Sequence, residues 1–405
     1  MKYDRITMAH GSGGADTAAL VKDVFSKHFG NEVLLRMEDS AVITLPPLPR
    51  IAVSTDSFVV DPLVFPGGDI GKLAVCGTVN DVLMSGAEPR WLTCAFVIEA
   101  GLSISLLDNI CASLAETAAE AGVTIIAGDT KVIEGRSESG GLIINTTGIG
   151  VINPCTIGRH KSTCRNEATG CDETTKTSEA PERDESTKRD EAPERSEAVG
   201  HDETAKGDEA PPAAHTLPSP SGMRPGDAII VSGTLGEHHA AILSARMGIR
   251  NTIKSDCALL TPILRALRQE GVAVHSMRDI TRGGLATVLN ELAEASGVSV
   301  LLEESLIPVS PEVRAFCGLM GLDPLYMGNE GKLVLSVAPG DAERALACIQ
   351  NTEIGQSAAI IGTASASSPE SRPPAQASPP VAMRTRAGGT VRIGILYGEG
   401  LPRIC

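Results

Sequence analysis

Four aspartates sit beside apparent strand ends and helix starts: Asp39 in Met37-Glu-Asp-Ser-Ala-Val42, Asp56 in Ser54-Thr-Asp-Ser-Phe58, Asp81 in Asn80-Asp-Val-Leu83 and Asp129 in Ala127-Gly-Asp-Thr-Lys131. Strand ends gather in space, so these acids can converge. Converging carboxylates repel one another unless cations neutralise them, and hard oxygen ligands favour Mg²⁺ carrying phosphate groups. Taken singly, each aspartate is better read as a turn or cap residue. Four in such contexts weigh against that reading.

A different reactive group closes the sequence. Cys405 follows Leu401-Pro-Arg-Ile404. The alternation of Val391, Ile393, Ile395 and Tyr397 predicts a strand running to about Tyr397. Gly398 and Gly400 then release a short arm, and Pro402 limits its freedom. A thiolate on such an arm can carry a bound group between active sites. The alternative is an accidental exposed cysteine on a strand that ends in glycine.

Two glycine loops, His10-Gly-Ser-Gly-Gly14 and Arg278-Asp-Ile-Thr-Arg-Gly-Gly284, each precede a helical pattern. Their backbone amides can face phosphate. Neither matches the phosphate-loop or dinucleotide spacing, so a structural turn stays open for both. His10 by itself is as readily structural.

The elements that must hold these groups fall into two blocks. The first runs from Met1 to about Asn153. It has strand-like runs at Ile51-Val53, Trp91-Ile98, Val123-Ala127 and Leu142-Val151, with helical periodicity from Asp69 and from Ile104 to Ala121. The second begins near Met223. A strand at Asp227-Gly233 is followed by helices at His238-Met247, Leu259-Glu270 and Gly284-Ser296, and by strands at Val298-Leu302 and Lys332-Val337. Alternating strands and helices predict an α/β or α+β fold in two related domains.

Between the blocks the composition changes. Asp172-Glu-Thr-Thr-Lys176 recurs as Asp184-Glu-Ser-Thr-Lys188 and Asp202-Glu-Thr-Ala-Lys206. So polar a segment cannot bury enough apolar area to offset its ordering entropy. Residues 157–221 are expected to form a disordered acidic insertion. A second Pro/Ser-rich insert is expected over 365–382.

The chain has 405 residues, with 42% hydrophobic and only 2% aromatic, so its cores must be aliphatic. The net charge of −15 argues against a nucleic-acid partner. No run is long and apolar enough for a membrane span, and the N-terminal residues lack the apolar core of a signal peptide, so a cytoplasmic location is expected. Ten cysteines without a CxxC pair predict free thiols, several buried as small hydrophobes.

The set His10-Gly-Ser-Gly-Gly14, Ser54-Thr-Asp-Ser57, Asn80-Asp-Val-Leu83, Gly128-Asp-Thr-Lys131, Asp279-Ile-Thr-Arg-Gly-Gly284, Gly328-Asn-Glu-Gly-Lys332 and Pro402-Arg-Ile-Cys405 closely resembles the HypE family of hydrogenase maturation proteins, within the aminoimidazole ribonucleotide synthetase-like superfamily. The resemblance covers both blocks and neither insert. It implies a two-domain fold: an ATP-binding and dimerisation domain over 1–153, a C-terminal α/β domain over 222–397, and a mobile tail over 398–405.

The resemblance further implies a reaction. A carbamoyltransferase, HypF, places a carboxamide on Cys405. ATP-dependent dehydration converts it to a thiocyanate, and the cyanide passes to iron on a HypC–HypD complex. ATP and Mg²⁺ are the implied cofactors, with Asp39, Asp56, Asp81 and Asp129 as metal carboxylates. Lys72, Asn80, Asp279 and Arg282 join them around the nucleotide, although an internal salt bridge fits Asp279 and Arg282 as well. Lys131 is the candidate charge stabiliser, Glu330 the candidate base and Cys405 the carrier.

A small-molecule kinase of the same superfamily would not need Cys405. A non-enzymatic maturation scaffold would bind partners without ATP turnover. Metal storage by Cys155, His160, Cys164 and Cys171 lacks the spacing of a compact zinc site.

Overall fold

The computed structural model describes residues 4–7, 20–32, 50–135, 141–152, 217–367, 379–396 and 404. Asp39, His10, Cys405 and the acidic repeats lie outside the described residues.

The first half contains a short helix α1 (Ser26–Phe29), strand β1 (Arg50–Phe58), a two-residue ladder of β2 (Val64–Phe65) with β3 (Gly68–Asp69), helix α2 (Ile70–Met84), β4 (Glu88–Glu99), α3 (Ile104–Ala121), β5 (Thr124–Ile133) and β6 (Leu142–Ile152). The longer strands form one sheet in the order β1-β6-β4-β5, antiparallel except for β4 and β5. The α3 crossover between β4 and β5 is what permits that parallel pair. Asp69 starts α2 by accepting from the amides of Gly71 at 2.7 Å and Lys72 at 3.0 Å. Gly122 ends α3 in the left-handed conformation, with φ 72°.

Helix α2 is apolar on nearly every side, which marks it as a helix covered all round. Gly148 and Gly150 let it lie against β6; a Cβ on Gly148 would stand 2.8 Å from Thr78 Cγ2. The hydroxyls of Thr78 and Thr146 meet at 2.6 Å across this contact. The other face of the sheet carries no described helix, and Ile51, Val53 and Ile133 on it are 51%, 60% and 42% exposed.

The second half is a seven-stranded sheet in the order β13-β12-β9-β11-β7-β10-β8. Its elements are β7 (Ala228–Val231), α4 (Glu237–Met247), α5 (Thr261–Gln269), β8 (Val274–Asp279), α6 (Gly284–Ser296), β9 (Val298–Glu303), α7 (Pro311–Met320), β10 (Leu333–Val337), α8 (Ala342–Gln350), β11 (Ala359–Ala366), β12 (Val381–Arg384) and β13 (Thr390–Ile393). Strand alternation divides β7 between two cores: Ile230 joins the core shared with the first half, while Ile229 and Val231 join the one beneath α6.

The halves share the larger core. Asn80 on α2 ties them, donating to Ala258 O at 3.0 Å and accepting from Leu260 N at 2.9 Å. Arg268 adds a bond to Gly86 O at 2.6 Å.

The ends of the second insert need correction. Ser365 and Ala366 complete β11, and Val381 and Ala382 open β12, where they pair with β9. The strand expected to reach Tyr397 stops at Ile393. Among the described residues of its expected apolar face Ile393 is buried, while Val391 and Ile395 are exposed, and the strand forms the sheet's edge.

Candidate functional site

Asp56 lies near the end of β1, on the side facing α2, and Asp81 lies in the last half of α2. Ser54 Oγ donates to Asp81 Oδ2 at 2.8 Å. Asp279 closes β8, so the second half brings a further acid to the same place. Burial pushes the Asp279 carboxyl up to about 7, and the charges of Asp81 and Asp56 add to the effect while Arg278 opposes it. Burial likewise raises Asp81; its bond from Ser54 and the charge of Arg278 hold it down, and Asp56 pushes it higher. Asp81 and Asp279 therefore share one nearby arginine, whose guanidinium also pairs with Glu291 at 2.6 Å.

Such a cluster fits a cation delivered with phosphate. Mg²⁺ keeps several waters and binds through one or two carboxylates plus phosphate oxygens, rather than in an all-protein cage. Among the described residues no group of three or more His, Cys, Asp or Glu forms such a cage.

Asp129 and Lys131 stand apart from this cluster. The register across the sheet aligns Ser57, Asn145, Ala95 and Asp129, so Asp129 points to the uncovered face, opposite Asp56. Lys131 Nζ lies 3.4 Å from Asp129 Oδ1, with both side chains well exposed. Asn145 Nδ2 donates to Ser57 Oγ and to Asp56 O, each at 2.9 Å. Within one chain, then, the described metal candidates do not all converge.

Asn80 faces the junction between the halves. Both ends of its amide are used by the backbone of 258–260, so it supports the junction. Arg282 is exposed in the turn before α6. No ion pair joins it to Asp279 among the described residues; the neighbouring arginine that acts on Asp279 is Arg278. Lys72 Nζ reaches Gly67 O at 3.4 Å, and Gly67 abuts Ser255, which places Lys72 beside a second polar region.

That region surrounds the loop 328–332. Asn329 is fully buried and orders it: its Oδ1 accepts from Gly236 N at 2.7 Å and its Nδ2 donates to Met327 O at 3.1 Å. Glu330 is buried, and its amide donates to Asp256 Oδ1 at 3.1 Å. Lys332 Nζ lies 3.5 Å from Asp256 Oδ2, and both side chains are nearly inaccessible. Burial raises the Glu237 carboxyl, and the charge of Asp256 raises it further. Its Oε2 has no hydrogen-bond partner among the described residues.

The tail enters here. Ile404 is only 4% exposed and belongs to the shared core. Its Cδ1 lies 3.6 Å from where a Cβ on Gly328 would stand, and its carbonyl oxygen is 2.7 Å from His238 Nε2. The penultimate residue of the expected mobile arm is thus docked. His238, Ser255, Asp256, Glu237 and Arg278 were not legible as site residues. The doublet His238-His239 beginning a helix after Gly236 was the available signal. The described cysteines are all buried. Burial holds the thiols of Cys94, Cys111, Cys317 and Cys348 above their ordinary pKa, and a bond with Cys76 does so for Cys257.

Two α/β halves meeting over a carboxylate cluster define the class. Residues 37–152 match the N-terminal domain of AIR synthase related proteins, and residues 224–372 match their C-terminal domain. A carbamoyl dehydratase HypE of Rhodobacter capsulatus is 37% identical over all of this chain and 99% of its own length. A crystal structure of hydrogenase maturation protein HypE in complex with ATP superposes with a TM-score of 0.77 at 38% identity, covering 98% of this chain and 99% of that one. A HypE–HypF complex structure gives 0.65 at 36% identity, over 93% and 100%. The chain belongs to the HypE family of carbamoyl dehydratases, which are hydrogenase maturation proteins.

Proposed function

We propose that this chain dehydrates a carboxamide carried on the Cys405 thiol to a thiocyanate, using ATP, and so supplies cyanide for the iron of a [NiFe]-hydrogenase. The observation that carries the reading is the docking of Ile404 between His238 and Gly328, which lies in the loop that also carries Glu330. It brings the residue before the thiol to a group of buried polar residues that includes His238 and Asn329.

Hydroxide leaves an amide carbon poorly. ATP supplies, when bound, the phosphoryl group that turns the amide oxygen into a leaving group. Loss of that oxygen with two protons from nitrogen converts the carboxamide to C≡N. Glu330 is the proposed proton acceptor, a carboxylate suited to general-base work on a proton within hydrogen-bond reach. Asp56, Asp81 and Asp279 are proposed to hold the Mg²⁺-bearing phosphates. Lys72 is proposed to contact phosphate, and Arg282 to close the nucleotide side of the turn before α6.

Asp129 and Lys131 enter through a second copy of the chain. The uncovered sheet face exposes Ile51, Val53 and Ile133, and burying such a face is favourable at roughly 25 cal/mol per Å² of apolar area. A homodimer paired through it sets Asp129 and Lys131 at the interface, where Lys131 is the proposed stabiliser of the developing imidate oxygen. HypF is the proposed source of the carboxamide, and a HypC–HypD complex the proposed acceptor. No helix among the described residues is long and apolar enough to cross a membrane, and a cytoplasmic site of action fits these partners.

Incubation with HypF, carbamoyl phosphate and ATP, followed by mass measurement of the Cys405 peptide, tests the reading. An adduct that loses one water only with ATP is expected. A stable carboxamide on Cys405 in the presence of ATP would contradict it.

A further inference from the structure

The contact between His238 and the tail has a defined chemistry. A carbonyl oxygen only accepts hydrogen bonds, so the 2.7 Å contact from Ile404 O requires a proton on His238 Nε2. Burial favours the neutral ring, which is 0% exposed. A neutral ring protonated at Nε2 leaves Nδ1 as an acceptor, and Nδ1 lies 2.7 Å from Ser255 Oγ. Ser255 therefore donates its hydroxyl proton to the ring. Its own oxygen accepts from Cys257 N at 3.0 Å, and its backbone amide donates to Pro66 O at 2.7 Å. Each polar atom in the chain from Cys257 to Ile404 has one consistent role.

The ring is also held from the side. Phe65 meets it edge-on, with centroids 5.5 Å apart. His239 N donates to Gly328 O at 3.2 Å, so the turn of α4 carrying His238 is pinned to the loop that carries Glu330. Anchor and candidate base share one rigid unit.

We propose that His238 is the positioning residue for the Cys405 thiol, holding the Ile404 carbonyl through Nε2–H while Ser255 fixes the required tautomer. This rests on the dehydratase reading for its consequence and on geometry alone for the anchor. The Ile404 carbonyl belongs to the planar peptide that joins Ile404 to Cys405. Holding it leaves only the φ of Cys405 and its χ1 between the anchor and the sulfur. The carried group is thus confined to within two torsions of the anchor, and restriction of this kind accelerates a step between held groups. Release of the anchor frees the thiol to visit a partner. His238 touches no reacting atom in this account.

The test compares wild type with His238→Ala, His238→Gln and Ser255→Ala. One readout is the rate at which Cys405 is alkylated by a maleimide, followed by peptide mass. The other is the single-turnover rate of water loss from carbamoylated Cys405 at saturating ATP. Loss of a buried hydrogen bond predicts roughly tenfold faster alkylation and roughly tenfold slower water loss for His238→Ala, with ATP affinity unchanged. His238→Gln, which keeps a neutral donor, is expected to recover part of both. Ser255→Ala shifts both in the same direction by a smaller factor. Equal alkylation rates in wild type and a folded His238→Ala overturn the proposal. Should that variant fail to fold, an unchanged alkylation rate in Ser255→Ala overturns it. Failure of the dehydratase reading shows separately, as a wild type that keeps its carboxamide in ATP, while the alkylation rates still decide the anchor.

Discussion

Asp81 and Asp279 come from opposite halves of the chain, and the charge of each acts on the same small region of the junction. Asp81 is one of the causes that lift Asp279 to about 7, behind burial itself. Arg278 opposes the rise in both acids. The junction therefore stores repulsion that a bound cation would relieve.

The repulsion predicts a pH dependence. Asp279 has a folded pKa near 7 against a reference of 3.8. A raised acid favours the folded state most below the reference value, and that stability is lost as pH rises through the folded pKa. Wild-type stability is expected to decline between about pH 4 and 7 from this group, and Asp279→Asn is expected to remove that decline. The variant should gain on the order of 2 kcal/mol over wild type at pH 8. Denaturant melts at pH 5 and pH 8 measure it; an equal loss in both proteins would contradict the assignment.

Nucleotide affinity should depend on the same pair. Asp81→Asn keeps the size of the side chain while removing one charge that Mg²⁺ would meet. We expect Mg-ATP affinity to fall at least about tenfold, with unchanged or higher thermal stability because a buried charge has gone. Calorimetric titration with Mg-ATP reads the first effect and a thermal melt the second. Undiminished affinity would remove Asp81 from the nucleotide site.

Asn80 is expected to behave differently, although it precedes Asp81. Asn80→Ala leaves Ala258 O and Leu260 N without their side-chain partner in a buried junction. The expected loss is about 2–4 kcal/mol of stability from two unsatisfied groups. Urea unfolding decides between this and a ligand-binding role, which would lower ATP affinity in a fully stable protein.

Much of the architecture was legible because periodicity and burial agree in it. Helix α3 begins at Ile104 and ends at Ala121, as its apolar spacing indicates, and α6 covers Gly284 to Ser296. Strand β8 was not legible, because its inward positions include Ser276, which is fully buried. Helix α8 is short, with an apolar stripe limited to a few positions. The site was readable in part. Asp56, Asp81 and Asp279 come from separate motifs that the fold brings together. Asp129 belongs to such a motif too, but strand alternation turns it to the opposite face. His238 escaped notice because its partner is 166 residues away, and no local pattern encodes a contact of that range.

The acidic repeats contribute none of the proposed site residues. Deleting residues 172–210 is expected to leave ATP-dependent water loss from Cys405 within about twofold of wild type, a ratio close to one in rate. Rates from the shortened chain check this; a collapse of turnover in a folded variant would assign the insertion a role in catalysis.

The central claim is that Cys405 carries the group that is dehydrated. The most direct measurement follows the mass of its peptide in wild type and in Cys405→Ala, after incubation with HypF, carbamoyl phosphate and ATP. The account predicts a carboxamide adduct on wild type that loses one water only with ATP, and no adduct in the variant. An unmodified Cys405, with HypF active on another acceptor, would contradict it.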